Sequence, residues 1–243
     1  IKVTSGSSPE SLKIIDDFYK SIIPAGTFPV SSIKVAEASK VIENTQRDIN
    51  IAFINEIAVI FNSMDINIHE VLDASKTKWN FLDFVPGLVG GHCIGVDPHY
   101  LAFKAKQIGH NPKITLAGRE INENMSLEIA NMITKKIKDK GKKLINSDLL
   151  VFGLSFKENC PDLRNSKIFD LIDHLESFGI KVSIFDPVIN IDEVDSEYSS
   201  KIIGAENIYA FSSAVLAVPH SKILDMNINT SKYSVFYDLK NAL

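Results

Sequence analysis

Cysteine is scarce in this chain, with only Cys93 and Cys160 among 243 residues. Their number and spacing suggest neither a disulfide framework nor a cysteine-based zinc site. Long hydrophobic runs are absent as well. None approaches the roughly 18–20 apolar residues of a membrane-spanning helix, and no charged-then-apolar leader opens the sequence. The cytoplasm is therefore the expected compartment and no membrane partner is expected. A surplus of positive charge is also missing: 26 Lys and Arg face 30 Asp and Glu, for a net charge of -4. The basic residues are scattered, which argues against nucleic acid as a partner. The chain holds no GxGxxG turn and no Walker A loop, no internal repeat and no low-complexity stretch. With 45% hydrophobic and 23% charged residues, it has the proportions of a chain that folds around a core.

What is present divides into two patterns. From Ile33 to about Met64 the apolar residues Val41, Ile42, Ile49, Ala52, Phe53, Ile57, Ile60 and Phe61 recur at helical spacing with neither Pro nor Gly. This predicts one long helix of about 45 Å. Shorter helices are expected over Ile68–Ala74, His99–Ile108 and Pro112–Lys140, the last closed by Gly141. After Gly141 strands alternate with helices. Leu149–Gly153, Lys181–Phe185, Ala214–Val218 and Val235–Leu239 read as strands, and Ser166–Phe178 reads as an amphipathic helix. The expected fold class is mixed α and α/β: a helical domain on a long spine helix, then a Rossmann-like parallel sheet. Residues 1–31, with a strand at Ile1–Thr4 and a helix to Ile23, read as the tail of another domain. The domains are expected at 1–31, 32–141 and 142–243.

Chemistry concentrates in the loop Pro86–Pro98, where Gly87, Gly90, Gly91 and Gly95 surround Cys93. Glycines let backbone amides approach a ligand, and a thiolate among them is a candidate nucleophile. A structural turn around a buried cysteine is the competing reading. Lys40 and Asn44 stand four residues apart, on one face of the long helix. The stretch Gly153–Ser166 follows a strand and precedes a helix, the place where phosphates bind in open α/β sheets. His92 and His99 flank Cys93 at no standard zinc spacing, so no metal is expected. His69, His110, His174 and His220 read as surface or packing residues.

The run VGGHCIGVDP at residues 89–98 resembles the active-site signature of the UDP-glucose/GDP-mannose dehydrogenase family, in the branch acting on UDP-N-acetylhexosamines. Residues 36–44, AEASKVIEN, resemble that family's central-helix signature. Residues 156–166, FKENCPDLRNS, resemble the opening of its C-terminal domain. The resemblance covers essentially the whole chain, with 1–31 similar to the end of the family's NAD-binding domain and the rest of that domain absent. It implies a UDP-N-acetylhexosamine substrate, NAD as cofactor, and oxidation of the sugar C6 alcohol to a carboxylate in two steps through a Cys93 thiohemiacetal and thioester. It further implies that Lys40 and Asn44 stabilise an oxyanion and position water, and that Asp97 pairs with Lys40. On the same ground Phe84, Gly87, Gly90, Gly91, Phe156 and Lys157 hold the nucleotide sugar, and Arg164 reaches the NAD pyrophosphate. Trp79 and Phe81, like Phe84, are further candidates to stack on uracil. Val85 stands where close relatives are expected to carry a basic residue. A homodimer through the 33–64 helix is expected. Two rival readings stand beside this one: a UDP-sugar-binding or dimerisation module without redox activity, and a cysteine acyl transferase using His92 or His99 as base.

Overall fold

The computed structural model describes residues 1–243. The chain opens with a small βαβ unit in which β1 (Lys2–Thr4) and β2 (Thr27–Pro29) pair in parallel across α1 (Pro9–Ile22). Ser8 caps α1 in a capping box with Ser11, satisfying amides that the first turn leaves free. Buried Asp16 ties the unit together: Thr4 donates to it at 2.7 Å and Lys20 pairs with it at 2.5 Å. Chiefly through the Lys20 hydrogen bond, its carboxyl is pulled down to about 2.

The long helix α2 spans Ile33–Ser63 and is capped by Ser32. It is followed by α3 (Ile68–Lys76), α4 (Asp97–Gln107) and α5 (Lys113–Asp139). The main helical contact is α2 against α5. The face of α2 that meets α5 is polar, carrying Asn44, Asp48 and Asn55, all buried. The opposite stripe, Val35, Ile42, Phe53 and Ile60, is exposed. Those four residues are spaced by 7, 11 and 7 positions, which places them on one line along a helix of 3.6 residues per turn.

Beyond α5 the chain builds a four-stranded, all-parallel sheet from β3 (Asp148–Phe152), β4 (Lys181–Phe185), β5 (Ser213–Leu216) and β6 (Val235–Asp238), in the order β4-β3-β5-β6. Helix α6 (Lys167–Ser177) makes the crossover from β3 to β4. Leu149–Phe152 are all fully buried, as expected of an inner strand covered on both faces. One face of the sheet packs on α6 and on α5 through Met125, Ile129, Ile133 and Ile137. Helix α5 therefore belongs to two layers, contacting α2 through its first half and the sheet through its second. No helix is long and apolar enough to cross a membrane.

The expected elements are present within a residue or two at most ends. The one strand not foreseen is β2: three residues ending in Pro29 are too short to show alternation, and a proline is tolerated there because this is a sheet edge.

Candidate active site

Two loops meet where the helical layer joins the sheet. The first, residues 84–96, runs from α3 into α4; the second, residues 154–166, leaves β3 and enters α6. Asn165 joins them, its carbonyl accepting from the Gly91 amide at 3.3 Å and its side-chain Nδ2 donating to the Gly91 carbonyl at 3.3 Å. A Cβ at Gly90 would lie 2.5 Å from the Asn165 carbonyl oxygen, and one at Gly91, where φ is +81°, would lie 2.8 Å from the Phe156 ring. The paired glycines are thus required by the approach of the second loop.

Cys93 projects from this junction as a free, exposed thiol. Its carbonyl accepts from the amides of Val96 (3.1 Å) and Asp97 (2.8 Å), so the chain turns directly from the cysteine into α4. Asp97, in the first turn of α4, accepts from Asn44 Nδ2 at 2.5 Å. This hydrogen bond fastens the C-terminal end of the cysteine loop to α2.

The expected Lys40–Asp97 pair is not formed. Lys40 sits one turn nearer the start of α2, is exposed, and bonds Glu43 at 2.6 Å; Glu43 also holds Arg47. Asn44, which is buried, takes Asp97 instead. Nor do the glycine amides of the loop all remain available to a ligand. The N–H and C=O of buried Gly87 are both taken by Asn55, at 2.9 Å each. Phe84 is half-buried near the start of the loop, Val85 is exposed, and Trp79 is 97% exposed.

On the second loop Phe156 is half-buried beneath the glycines, and Lys157 is exposed with its ammonium 5.3 Å from the Phe156 ring centroid. Arg164 is exposed and grips Asp162 through Nε (3.0 Å) and Nη2 (2.8 Å). That two-point contact holds the Asp162 carboxyl well below the usual carboxylate range. His92 turns its edge to Phe156 at 6.0 Å and its Nε2 to Asp162 at 3.7 Å. His99 pairs with Glu123 at 3.1 Å. Both imidazoles therefore have partners other than the Cys93 thiol, which removes the support for an acyl transferase. No three His, Cys, Asp or Glu side chains gather as a metal would require. Gly90, Gly91, Arg119, Asn165 and Lys167 line a cavity of about 350 Å³ beside the junction.

Of the histidines read as surface or packing residues, His220 is a packing one whose role as a hydrogen-bond hub the sequence did not show. It is fully buried and lies under the second loop. Its Nδ1 accepts from the Asn159 amide at 2.9 Å, so Nε2 carries the hydrogen and faces Asp186 (3.1 Å) and Ser155 (3.3 Å). Serine and aspartate thus share one ring nitrogen, the wrong arrangement for a nucleophilic triad; this is a staple. Burial pushes Asp186 up, but the His220 bond and the Leu154 and Val188 amides outweigh it and bring the carboxyl down. Glu158 and Lys240 pair at the end of β6, joining the second loop to the chain's last residues.

Residues 34–124 match the central domain of the UDP-glucose/GDP-mannose dehydrogenase family, and residues 150–243 match its UDP binding domain. The chain belongs to the UDP-glucose/GDP-mannose dehydrogenase family. It is 49% identical to the UDP-N-acetyl-D-glucosamine 6-dehydrogenase of Pseudomonas aeruginosa, over all of this chain and 58% of that protein. The enzyme of the same name from Salmonella typhi is 46% identical over the same shares. The chain thus spans a little over half the length of these curated relatives. Among solved structures, the two of the UDP-N-acetyl-mannosamine dehydrogenase Cap5O from S. aureus superpose with TM-scores of 0.78 and 0.77 at 27% identity, covering 99% of this chain and 56% and 55% of the Cap5O chain. The UDP-D-ManNAc dehydrogenase of Pyrococcus horikoshii, at 24% identity and a TM-score of 0.82, shares the fold over 99% of this chain and 56% of its own.

Proposed function

We propose that this chain carries the substrate-binding and thiol machinery of a UDP-N-acetylhexosamine 6-dehydrogenase, which oxidises the C6 alcohol to a uronate for surface polysaccharide precursors. The observation that carries the reading is the meeting of the Cys93 loop with the Phe156–Lys157 loop, locked by Gly91 and Asn165. A sugar held by its diphosphate on the second loop presents its far end to the first. Lys157 offers an exposed cation for the phosphates, Phe156 and the half-buried Phe84 offer apolar faces, and the Gly90–Gly91 backbone lines the approach.

NAD fits this arrangement at Arg164, whose exposed guanidinium suits a pyrophosphate in place of Asp162. The remainder of its binding falls to the part of the relatives' length that this chain does not span. NAD, when bound, accepts a hydride in each of the two oxidations.

The chain's own part in the chemistry follows from its thiol. Cys93 sulfur adds to the C6 aldehyde, forming a C–S bond as the carbonyl oxygen takes a proton. Loss of hydride and a proton from that thiohemiacetal gives a thioester. Water then cleaves the C–S bond, releasing the carboxylate and returning the thiol. Asn44 donates toward the developing oxyanion and, with Asp97, orients the water. Lys40 contributes positive charge from one turn away, and leaves Glu43 to do so.

Lys157→Ala is expected to weaken UDP-N-acetylglucosamine binding about tenfold, the usual loss for one charge-assisted contact. Calorimetric titration of the unsubstituted and altered chains checks this, and equal affinities contradict the assignment.

The exposed stripe of α2 supports a homodimer built on that helix, because four large apolar residues in line are more than a surface helix usually shows. Phe53→Asp is expected to convert a dimer to a monomer in sedimentation; a monomer before substitution removes the proposal.

A further inference from the structure

Asn55 takes no part in the chemistry above and lies in none of the motifs, yet it is fully buried on the polar face of α2. Its side chain holds both backbone groups of Gly87, six residues before Cys93. An amide presents a donor and an acceptor on one planar group, so it pairs with a peptide unit as a neighbouring strand would. Behind it Asn55 Nδ2 also donates to Asn122 Oδ1 at 2.9 Å, and Asn122 donates to the Asp48 carbonyl and carboxylate at 2.9 and 2.7 Å. Asp48 pairs with Arg119 at 2.6 Å, and Arg119 reaches Glu123, which meets His99. His99 lies six residues after Cys93. A polar chain, buried through Asn55, Asn122, Asp48 and Arg119, therefore runs from the start of the cysteine loop across α2 and α5 to the exposed Glu123–His99 pair, with His99 in the first turn of α4.

We propose that Asn55 is the positioning residue of the Cys93 loop. Asn44 fixes Asp97 at the far end of the loop, and Asn55, three turns along the same helix face, fixes its beginning. The thiol's place relative to Asn44 and Asp97 is then set by two grips from one rigid helix. A buried amide costs free energy unless fully bonded, and a residue needed only to fill space would be served by leucine. The kinetic consequence rests on the dehydrogenase reading; the structural one stands without it.

The test uses Asn55→Leu, close in shape without the polar atoms, and Asn55→Asp, which keeps an acceptor for the Gly87 amide and loses both donated bonds. Amide hydrogen exchange on the 243-residue chain is followed in residues 85–96 and, for comparison, in residues 126–137 of α5. Expected is exchange at least about tenfold faster in the loop, with α5 within about twofold of its original rate. An unchanged loop, or loop and α5 accelerating by the same factor, overturns the proposal. Should Asn55→Leu fail to fold, Asn55→Ser is read by the same criteria. In the NAD-competent enzyme the same substitutions are expected to lower kcat about 10- to 100-fold, as a misplaced reacting group does. KM for the UDP-sugar should stay within about threefold, since the diphosphate contact of Lys157 lies on the other loop and outweighs those of Phe84 and the Gly90–Gly91 backbone; a loss confined to KM contradicts the assignment. If the unsubstituted enzyme forms no uronate while loop exchange responds as expected, the dehydrogenase reading falls and the positioning role stands.

Discussion

Cys93→Ser is expected to abolish uronate formation, lowering kcat on the order of a thousandfold or more, the scale of loss when an enzyme's nucleophile is removed. A serine hydroxyl at neutral pH is a far weaker nucleophile than a thiol, and no imidazole stands ready to activate it. His92 is engaged with Phe156 and Asp162, and His99 with Glu123. The first oxidation needs no covalent bond to the protein, so it should survive. In rapid-mixing experiments the variant should release about one NADH per site and then stall at the aldehyde, because the step lost is thiohemiacetal formation. A variant that still formed uronate at close to the original rate would remove Cys93 from the mechanism.

The second large effect concerns stability. Asp48→Ala is expected to destabilise the fold by about 3–5 kcal/mol, the usual result of breaking a buried ion pair. It leaves Arg119, whose side chain is only 5% exposed, with Glu123 alone at 3.3 Å. Burial raises the Asp48 pKa, and the Arg119 charge and the Asn122 and Arg119 hydrogen bonds only partly offset that rise. A carboxyl whose folded pKa lies above its unfolded value costs stability when ionised, and the cost recedes as pH falls through the folded pKa. Asp48 by itself is therefore a burden at neutral pH that its partners only partly offset. It follows that Asp48→Leu with Arg119→Met should recover most of what Asp48→Ala loses, since apolar replacement of a whole buried pair is often neutral. Urea denaturation of the three proteins measures this. A double variant no more stable than Asp48→Ala would show that the pair contributes more than it costs.

How much of this was legible in the sequence differs from element to element. The strands and the crossover helix α6 follow from periodicity, because the sides that pack are apolar and repeat; the long helix shows a helical period too, although its α5-facing side is polar and its apolar stripe is exposed. The two loops were marked by glycine density and by their place after a strand or before a helix. Their contact was not, since Asn165 reaching Gly91 is a tertiary event with no local pattern. The Lys40–Asp97 pairing illustrates the same limit. Residues four apart on a helix share a face, but which one reaches the loop depends on where the loop crosses, and it crosses at Asn44. Asp48 and Asn55 did leave a signal, because they continue the stripe of Asn44 at positions +4 and +11 in a helix with few other buried polar groups. His220 left none. Its partners come from elsewhere in the chain, Asp186 from the end of β4 and Ser155 and Asn159 from the second loop.

In the proposed mechanism Cys93 carries a UDP-sugar through two successive oxidations without releasing the aldehyde. The measurement that tests it most directly is the ratio of NADH to uronate formed from UDP-N-acetylglucosamine in the NAD-competent enzyme, with an aldehyde trap present. Two NADH per uronate, and no trapped aldehyde, is the predicted result. One NADH per sugar with free aldehyde captured would contradict it, and would reduce Cys93 to a bystander on a loop that the fold holds in place for another purpose.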